Sequence, residues 1–414
     1  MNEAGFMRLA LRLARRGYGT TSPNPMVGAV LVKSGKIIGR GCHRRAGGPH
    51  AEIEALRDAQ KRGHSTRGAT LYVTLEPCCT HGRTPPCTDA IISAGVRRVV
   101  VGATDPNPKH RGKGVEILRR SGIAVDCWGE IGDEPHSGSR GRLPHQKLAE
   151  DCLHLNQAFN HWIVRRTPFV TVKAAMTLDG KIATASGESK WITGEPARAY
   201  GMKLRQGSDA ILVGINTILM DDPSLTVRSA GGPKAKVESC RLRRIILDSR
   251  ARTPLTAKVV TDDLAALTTI VVGRRAPMSR VTALARRVNV LVAPLVKSAL
   301  VNRQSAIDLP WLLKKLGAQN VTSLLVEGGG EVNASFLLGG YAQRVAFFYA
   351  PKILGGRDAR KAVAGVGSQR LTEVVQLRDL QWRRVGEDLL LLARINPLRK
   401  LARMRNVAAD SPLA

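Results

Sequence analysis

The triplet His50-Ala51-Glu52, followed by Pro77-Cys78 and, after eight intervening residues, by Cys87, constrains this chain more than any other feature. An imidazole and two thiols are soft ligands suited to zinc, and three of them leave one tetrahedral position open. An open position is the mark of a catalytic rather than a structural zinc, because a water placed there is acidified to a pKa near ~7. Glu52, two residues beyond the histidine, is badly placed to bind the same ion but well placed to carry that water's proton to a leaving group. The competing reading is a closed four-ligand knot with Cys79, His43 or His81 as the fourth ligand, and it leaves Glu52 without a role.

His-x-Glu followed by Pro-Cys is the pattern of zinc-dependent deaminases. Gly47-Gly48-Pro49 breaks the chain before His50, and Ala51 to Leu56 then reads as helix, with His50 and Glu52 on its first turn. Cys78 follows the apolar run Ala69–Leu75, and Cys87 opens the periodic segment Thr88–Ile92, with Gly95 as a C-terminal stop. Thiols at helix N-termini ionise more easily than free ones. Deaminases of nucleosides and nucleic-acid bases usually follow Pro-Cys-x-x-Cys. Here the longer loop carries His81, Arg83 and two prolines, which suits a polar, anionic ligand. Asp105-Pro106-Asn107-Pro108 follows the strand Val99–Val101, where open α/β sheets bind ligands, although a plain Pro-Asn turn reads the same way. Upstream, Ser22 to Gly28 leads into a hairpin of Ala29–Lys33 and Lys36–Gly39 turned at Ser34-Gly35.

The second half suggests a nucleotide site on weaker grounds. The strand Ser323–Val326 runs into Glu327-Gly328-Gly329-Gly330 and then a helix from about residue 331 to 338. Backbone N–H groups freed at such a turn attract phosphates. The run is not G-x-G-x-x-G and comes late, which argues against an N-terminal Rossmann unit. Asp221-Asp222-Pro223, after the segment Ala210–Gly214, offers carboxylates for a sugar hydroxyl or for proton transfer, or else only a turn acid. Lys173, on the strand Phe169–Val172, could meet a phosphate or an opened sugar carbonyl.

A chain of 414 residues with 43% hydrophobic content exceeds one core and suffices for two. The breaker-rich stretch 132–147 reads as a linker, followed by one helix from Leu148 to Trp162, and residues 396–414 read as a basic tail. Asn2 to Arg16 is amphipathic and arginine-bearing like a transit peptide, but an acidic residue within it favours a first domain helix. Seven cysteines, an odd number, do not form a disulfide framework, so a reducing cytoplasm is expected. No run reaches the ~18 apolar residues of a membrane span.

The net charge of +31 admits a rival in which a basic surface holds nucleic acid and the zinc site edits a base. Only 4% of residues are aromatic, so stacking platforms for unpaired bases are scarce and nucleic acid is not the expected partner. A solvated basic coat that also attracts two anionic small molecules accounts for the charge. A non-catalytic scaffold retaining zinc for stability leaves Glu52 unexplained.

The ordered motifs Asn24-Pro25-x-Val27-Gly28, His50-Ala51-Glu52, Glu76-Pro77-Cys78, His81 to Cys87 and Asp105 to Pro108 resemble the bifunctional deaminase/reductases of riboflavin biosynthesis. So do Lys173 to Lys181, Gly187 to Thr193, Asp221 to Thr226, Val326 to Gly330 and Ala350 to Gly356. The resemblance implies an α/β chain of two parts: a zinc cytidine-deaminase-like domain over residues 1–146 and, past a connecting helix at 147–167, a dihydrofolate-reductase-like domain at 168–396 ahead of a tail at 397–414. It implies zinc on His50, Cys78 and Cys87, catalysis by Glu52, and substrate contacts from Asn24, His43, His81, Arg83, Asp105 and Asn107. In the second domain it implies substrate contacts from Lys173, Ser189, Arg205, Leu225, Arg228 and Glu327. NADPH would be held by Ala175, Trp191, Thr217, Asp221, Ser249, Gly329, Gly330, Glu331, Val332, Asn333, Ala334 and Ser335. The implied substrate is a diaminopyrimidinone ribosylamino 5′-phosphate, first deaminated and then reduced from ribosyl to ribityl, by a homodimer or larger assembly.

Overall fold

The computed structural model describes residues 1–81, 85–129, 144–227, 242–295 and 307–396. The chain divides into two compact units, Met1–Arg166 and Thr167–Ala414.

The first unit is built on a five-stranded sheet in the order β2-β1-β3-β4-β5, with β1 Gly28–Lys33, β2 Lys36–Cys42, β3 Thr70–Val73, β4 Arg98–Val101 and β5 Ala124–Cys127. The β1–β2 hairpin turns at Ser34-Gly35 as expected, both residues at positive φ (49° and 73°), the geometry that two-residue turns between twisted strands require. Side chains alternate between the two faces. Ala29, Leu31, Val99 and Val101 meet α2 (Ala51–Lys61), α3 (Cys87–Ser93) and α4 (Lys113–Arg120), while Val30, Val32 and Val100 meet α1 (Glu3–Ala14) and α5 (Pro144–Leu155). The N-terminal segment is thus a packed domain helix, burying Phe6, Met7, Ala10 and Leu11.

One expectation is corrected. The helix foreseen over 148–162 is two helices, α5 and α6 (Gln157–Arg165), interrupted at Asn156. The Asn156 side chain leaves the helical register to exchange two hydrogen bonds with the Met26 backbone, at 2.8 and 2.9 Å, and a buried polar pairing of this kind outweighs helical periodicity. The last residues of the expected linker, 144–147, are instead the first turn of α5, and the rest of it, like the expected tail at 397–414, lies outside the described residues.

Small residues set how closely α2 approaches the sheet. Gly39 and Gly41 share one face of β2, and a Cβ on Gly41 would lie 2.0 Å from the Ala51 carbonyl oxygen and 2.4 Å from the Ala55 nitrogen. The helix answers with Ala51, Ala55 and Ala59, all fully buried. Backbone therefore rests on backbone at the point where α2 begins, and the start of α2 is fixed relative to the sheet.

The second unit carries a nine-stranded sheet in the order β11-β10-β9-β8-β12-β6-β13-β16-β15. In chain order the elements are β6 Phe169–Thr177, β7 Lys181–Ala183, α7 Glu195–Gln206, β8 Ala210–Gly214, α8 Ile215–Asp221, β9 Arg243–Leu247, α9 Lys258–Thr261, β10 Thr268–Gly273, α10 Met278–Ala285, β11 Asn289–Ala293, α11 Leu309–Ala318, β12 Ser323–Val326, α12 Gly330–Leu338, β13 Arg344–Ala350, β14 Arg360–Lys361, β15 Leu377–Val385 and β16 Asp388–Ile395. Strands β11 through β13 run parallel, and β16 and β15 close the edge antiparallel. Helices α11 and α12 cover one face, and α7, α8, α9 and α10 the other. No helix among the described residues is long and apolar enough to cross a membrane.

Replacing Gly41 with Ala forces a side chain into backbone. The expected loss is about 1–3 kcal/mol of stability in the first unit, read as a lower urea midpoint at unchanged m-value. An unchanged midpoint would mean that α2 is not held by this contact.

Candidate metal centre and reductase cleft

Strands β2, β3 and β4 point the same way, so the segments leaving them emerge at one sheet edge, where α/β sheets hold ligands. β2 leads to His50, β3 to Cys78 and β4 to Asp105, while β1, running opposite, begins there just after Asn24. His50 is the N-cap of α2 and Cys87 the first residue of α3. Cys78 sits in the loop rather than on a helix, but its sulphur receives the first N–H of α3, from Cys87, at 3.4 Å.

His50 Nδ1 lies 3.2 Å from Cys87 Sγ and 3.4 Å from Cys78 Sγ, and all three ligand atoms fall within 4.8 Å of one another. Two sulphurs and one imidazole nitrogen so disposed fit a zinc ion. Of the three alternative fourth ligands, His43 and Cys79 are otherwise engaged. His43 Nδ1 is 2.9 Å from the Pro49 carbonyl, which can only accept, so the proton is on Nδ1 and Nε2 accepts from Asn24 Nδ2 at 3.2 Å. Burial lowers the His43 pKa and keeps the ring neutral in that role. Cys79 Sγ faces His110 Nδ1 at 3.7 Å, and His81 is exposed. Among the described residues only His50, Cys78 and Cys87 form such a cluster.

Glu52 is 3% exposed, and burial, reinforced by the nearby Cys78 sulphur, raises its pKa to about 7. A carboxyl poised there gives and takes protons at neutral pH. The sulphurs share charge unequally: hydrogen bonding from Cys87 and His50 lowers the Cys78 thiol to about 4, and Cys87 is pushed up in return. Asp105 is also buried, which raises its pKa to about 6, and its Oδ1 takes the Asn107 N–H at 2.8 Å. Arg83 lies outside the described residues.

The second unit has a cleft of about 2610 Å³ at the carboxyl ends of β8, β12 and β6. Of the residues expected there, Lys173, Ser189, Arg205, Leu225 and Glu327 line it, as do Trp191, Thr217, Asp221, Ser249, Gly329, Gly330, Glu331, Val332, Ala334 and Ser335. Ala175 instead packs into the core under α7, and Asn333 is fully buried with its amide donating to the Ala362 carbonyl. Arg228 lies outside the described residues.

The three glycines divide their work. A Cβ on Gly328 would meet Val332 at 2.5 Å and one on Gly330 the Lys361 carbonyl at 2.3 Å, whereas a Cβ on Gly329 meets nothing within 4 Å. The turn is pinned on both sides, and Gly329, the N-cap of α12, brings no side-chain cap. Free N–H groups facing a cleft suit a phosphate-bearing cofactor. The two aspartates both line the cleft but differ in partners. Asp222 Oδ1 accepts the Lys258 N–H at 2.9 Å, while Asp221 lies beside Lys190 at 3.8 Å.

Glu327 forms two 2.9 Å bonds to Arg205 and lies 3.7 Å from Lys173. Burial alone would raise its pKa, but Lys173 and Arg205 outweigh burial and hold it at about 2. Arg205 donates its remaining edge to the Thr226 carbonyl at 3.0 Å, leaving Lys173 the less tied down of the two cations. Sequence reasoning missed Arg244, a fully buried arginine between Asp262 (2.6 and 2.7 Å) and the Ser224 carbonyl (3.1 Å), which holds the 222–225 turn at the cleft wall. An arginine inside the strand Arg243–Leu247, directly before two isoleucines, was the available signal.

Residues 1–103 match the family described as the cytidine and deoxycytidylate deaminase zinc-binding region, and residues 168–391 match the RibD C-terminal domain. The chain belongs to the RibD family. The riboflavin biosynthesis protein RibD of Actinobacillus pleuropneumoniae is 40% identical over 392 residues, covering 94% of this chain and 95% of that one. The structure of Acinetobacter baumannii RibD superposes with a TM-score of 0.77 at 34% identity, covering 95% of this chain and 98% of that one. The Thermotoga maritima diaminohydroxyphosphoribosylaminopyrimidine deaminase/5-amino-6-(5-phosphoribosylamino)uracil reductase gives 0.73 at 33% identity, with the same coverage. The chain is therefore a bifunctional RibD-type enzyme of riboflavin biosynthesis, with a zinc-deaminase-type first domain and a dihydrofolate-reductase-like second domain.

Two outcomes follow. Glu52→Gln keeps the shape but cannot carry a proton, so ammonia release should fall about 10²–10⁴-fold with zinc content unchanged; retained turnover would reassign the proton carrier. Glu327 has its pKa depressed from 4.5 to about 2, so its contribution is complete above about pH 4.5 and is lost as pH falls toward 2. Glu327→Gln should cost about 3 kcal/mol at pH 7 and flatten that acid limb in thermal unfolding; an identical acid limb would place the sensitivity elsewhere.

Proposed function

We propose that the first unit removes the 2-amino group of 2,5-diamino-6-ribosylamino-4(3H)-pyrimidinone 5′-phosphate and that the second reduces the ribosyl group of the deaminated product to ribityl with NADPH. The observation that carries this reading is the meeting of three soft ligands with a buried, proton-poised Glu52 at one sheet edge. His50, Cys78 and Cys87 would hold zinc, which supplies Lewis acidity to activate water. Glu52 then moves protons: it takes one from the attacking water and passes it to the ring nitrogen, then takes the one left on the added hydroxyl and delivers it to the amino group, which departs as ammonia. Asn24, fixed by His43, and Asp105 and Asn107 would hold the substrate, with His81 and Arg83 on the adjoining loop.

In the second unit the N-terminus of α12, together with Thr217, Asp221 and Ser249, would hold NADPH, which supplies hydride. Trp191 is clamped by Arg198 at 4.6 Å and by Lys352, whose ammonium donates to its carbonyl at 3.1 Å, so its ring offers a fixed wall. Lys173 would meet the substrate's opened sugar from the floor of the cleft, with Ser189 and Leu225 beside it. The work of this half is to hold the reacting carbon against the cofactor.

The domain assignment follows the same reading: deaminase over 1–146, reductase over 168–396, joined through 147–167. Cytoplasmic residence accords with the six free cysteines among the described residues. Assembly of the chain as a homodimer or larger through the second unit accords with the apolar Leu380 and Trp382 exposed on the edge strand β15.

Purified, zinc-replete protein given this substrate should release ammonia and then oxidise NADPH, recorded together. Ammonia without NADPH loss would confine the activity to the first unit, and RNA binding at physiological salt with neither signal would return the basic charge to the centre of the account.

A further inference from the structure

Glu76 stands two residues before Cys78, is 4% exposed, and is not one of the three clustered ligands. Its carboxylate accepts four backbone N–H groups. Oε2 takes those of Asp105 and Gly112, each at 3.0 Å, and Oε1 takes those of Gly114 and Val115 at 3.0 and 3.3 Å. The last two belong to the first turn of α4, so the carboxylate occupies the positive end of that helix and leaves no anion site there. A helix cap alone would not also reach back to Asp105. By holding both Asp105 and Gly112, Glu76 closes the loop between them at its two ends.

That loop contains Asp105 and Asn107, and its interior is tied in series. Asp105 Oδ1 takes the Asn107 N–H at 2.8 Å, and Asn107 Oδ1 takes the Lys109 N–H at 3.1 Å. Backbone packing seals the same junction, because a Cβ on Gly114 would lie 2.3 Å from the carbonyl oxygen of Pro77, the residue before Cys78. The segment carrying Cys78 and the segment carrying Asn107 are thus registered through one carboxylate and one glycine.

We propose that Glu76 is a positioning residue of the deaminase site, which fixes the 105–108 loop at a set distance from the metal ligand Cys78. The inference rests on the reading of Asp105 and Asn107 as substrate anchors. Glu76→Gln keeps the shape but turns a donor amide toward two backbone donors, so one end of the loop is released. Small displacements of a substrate anchor are costly, up to about 10²-fold for 1 Å.

The test is steady-state kinetics of ammonia release by the full-length enzyme, with zinc per chain measured by atomic absorption. Glu76→Gln should raise the deaminase KM about tenfold or more and change kcat much less. Zinc content and the reductase rate on the deaminated pyrimidine should stay the same. Gly114→Ala, which pushes α4 off Pro77, should give the same split, and it carries the test if Glu76→Gln does not fold. Asn107→Ala separates the two ideas. A raised KM for Asn107→Ala with none for Glu76→Gln or Gly114→Ala overturns the positioning role. Loss of zinc and of kcat at unchanged KM would mean that Glu76 serves only the stability of the metal loop, and overturns it as well. If Asn107→Ala leaves KM unchanged, the loop is not a substrate anchor and both readings fall.

Discussion

Two thiols and an imidazole drawn from positions 50, 78 and 87 can share one cation only if three separate segments arrive at the same place. The sheet order β2-β1-β3-β4 brings them there, since β2, β3 and β4 share a direction and discharge their loops at one edge. Fine placement comes from backbone contact. Gly41 lets α2 rest on β2, Gly114 lets α4 rest on Pro77, and in both places a single methyl group would have to displace a main-chain atom. The chemistry thus depends on residues with no chemistry of their own.

Glu52, buried, and Glu327, nearly so at the cleft, show how the same side chain is given opposite properties. Glu52 is buried beside sulphur, and burial first and the sulphur second raise its pKa to about 7, where it can exchange protons. Glu327 lies between Lys173 and Arg205, so its pKa falls to about 2 and it stays a fixed negative charge. The first arrangement belongs to a reaction that moves protons through a side chain, the second to one in which the protein holds its partners still.

Much of this was legible in the sequence because the signals were local. The His-x-Glu triplet, the two cysteines, the Ser34-Gly35 turn and the glycine run at 328–330 each act through neighbouring backbone, and the helices and strands around them lie where pattern placed them. The resemblance of ordered motifs carried the reading to the family. What stayed hidden depends on distant partners. The break at Asn156 answers to Met26, Glu76 answers to the amides of residues 105–115, and Arg244 answers to Asp262 and Ser224. Spacing could not separate Asp221 from Asp222 either, because the difference is a bond from Lys258 to only one of them.

The chemistry of the first unit turns on an open metal centre, one that His50, Cys78 and Cys87 alone would hold. Zinc K-edge X-ray absorption on the full-length protein tests it directly. The account predicts a first shell of two sulphurs and one imidazole nitrogen with one further light atom that exchanges when a competitive pyrimidine inhibitor is added. A third sulphur or a second imidazole in the shell, unmoved by the inhibitor, would show a closed structural site and contradict it.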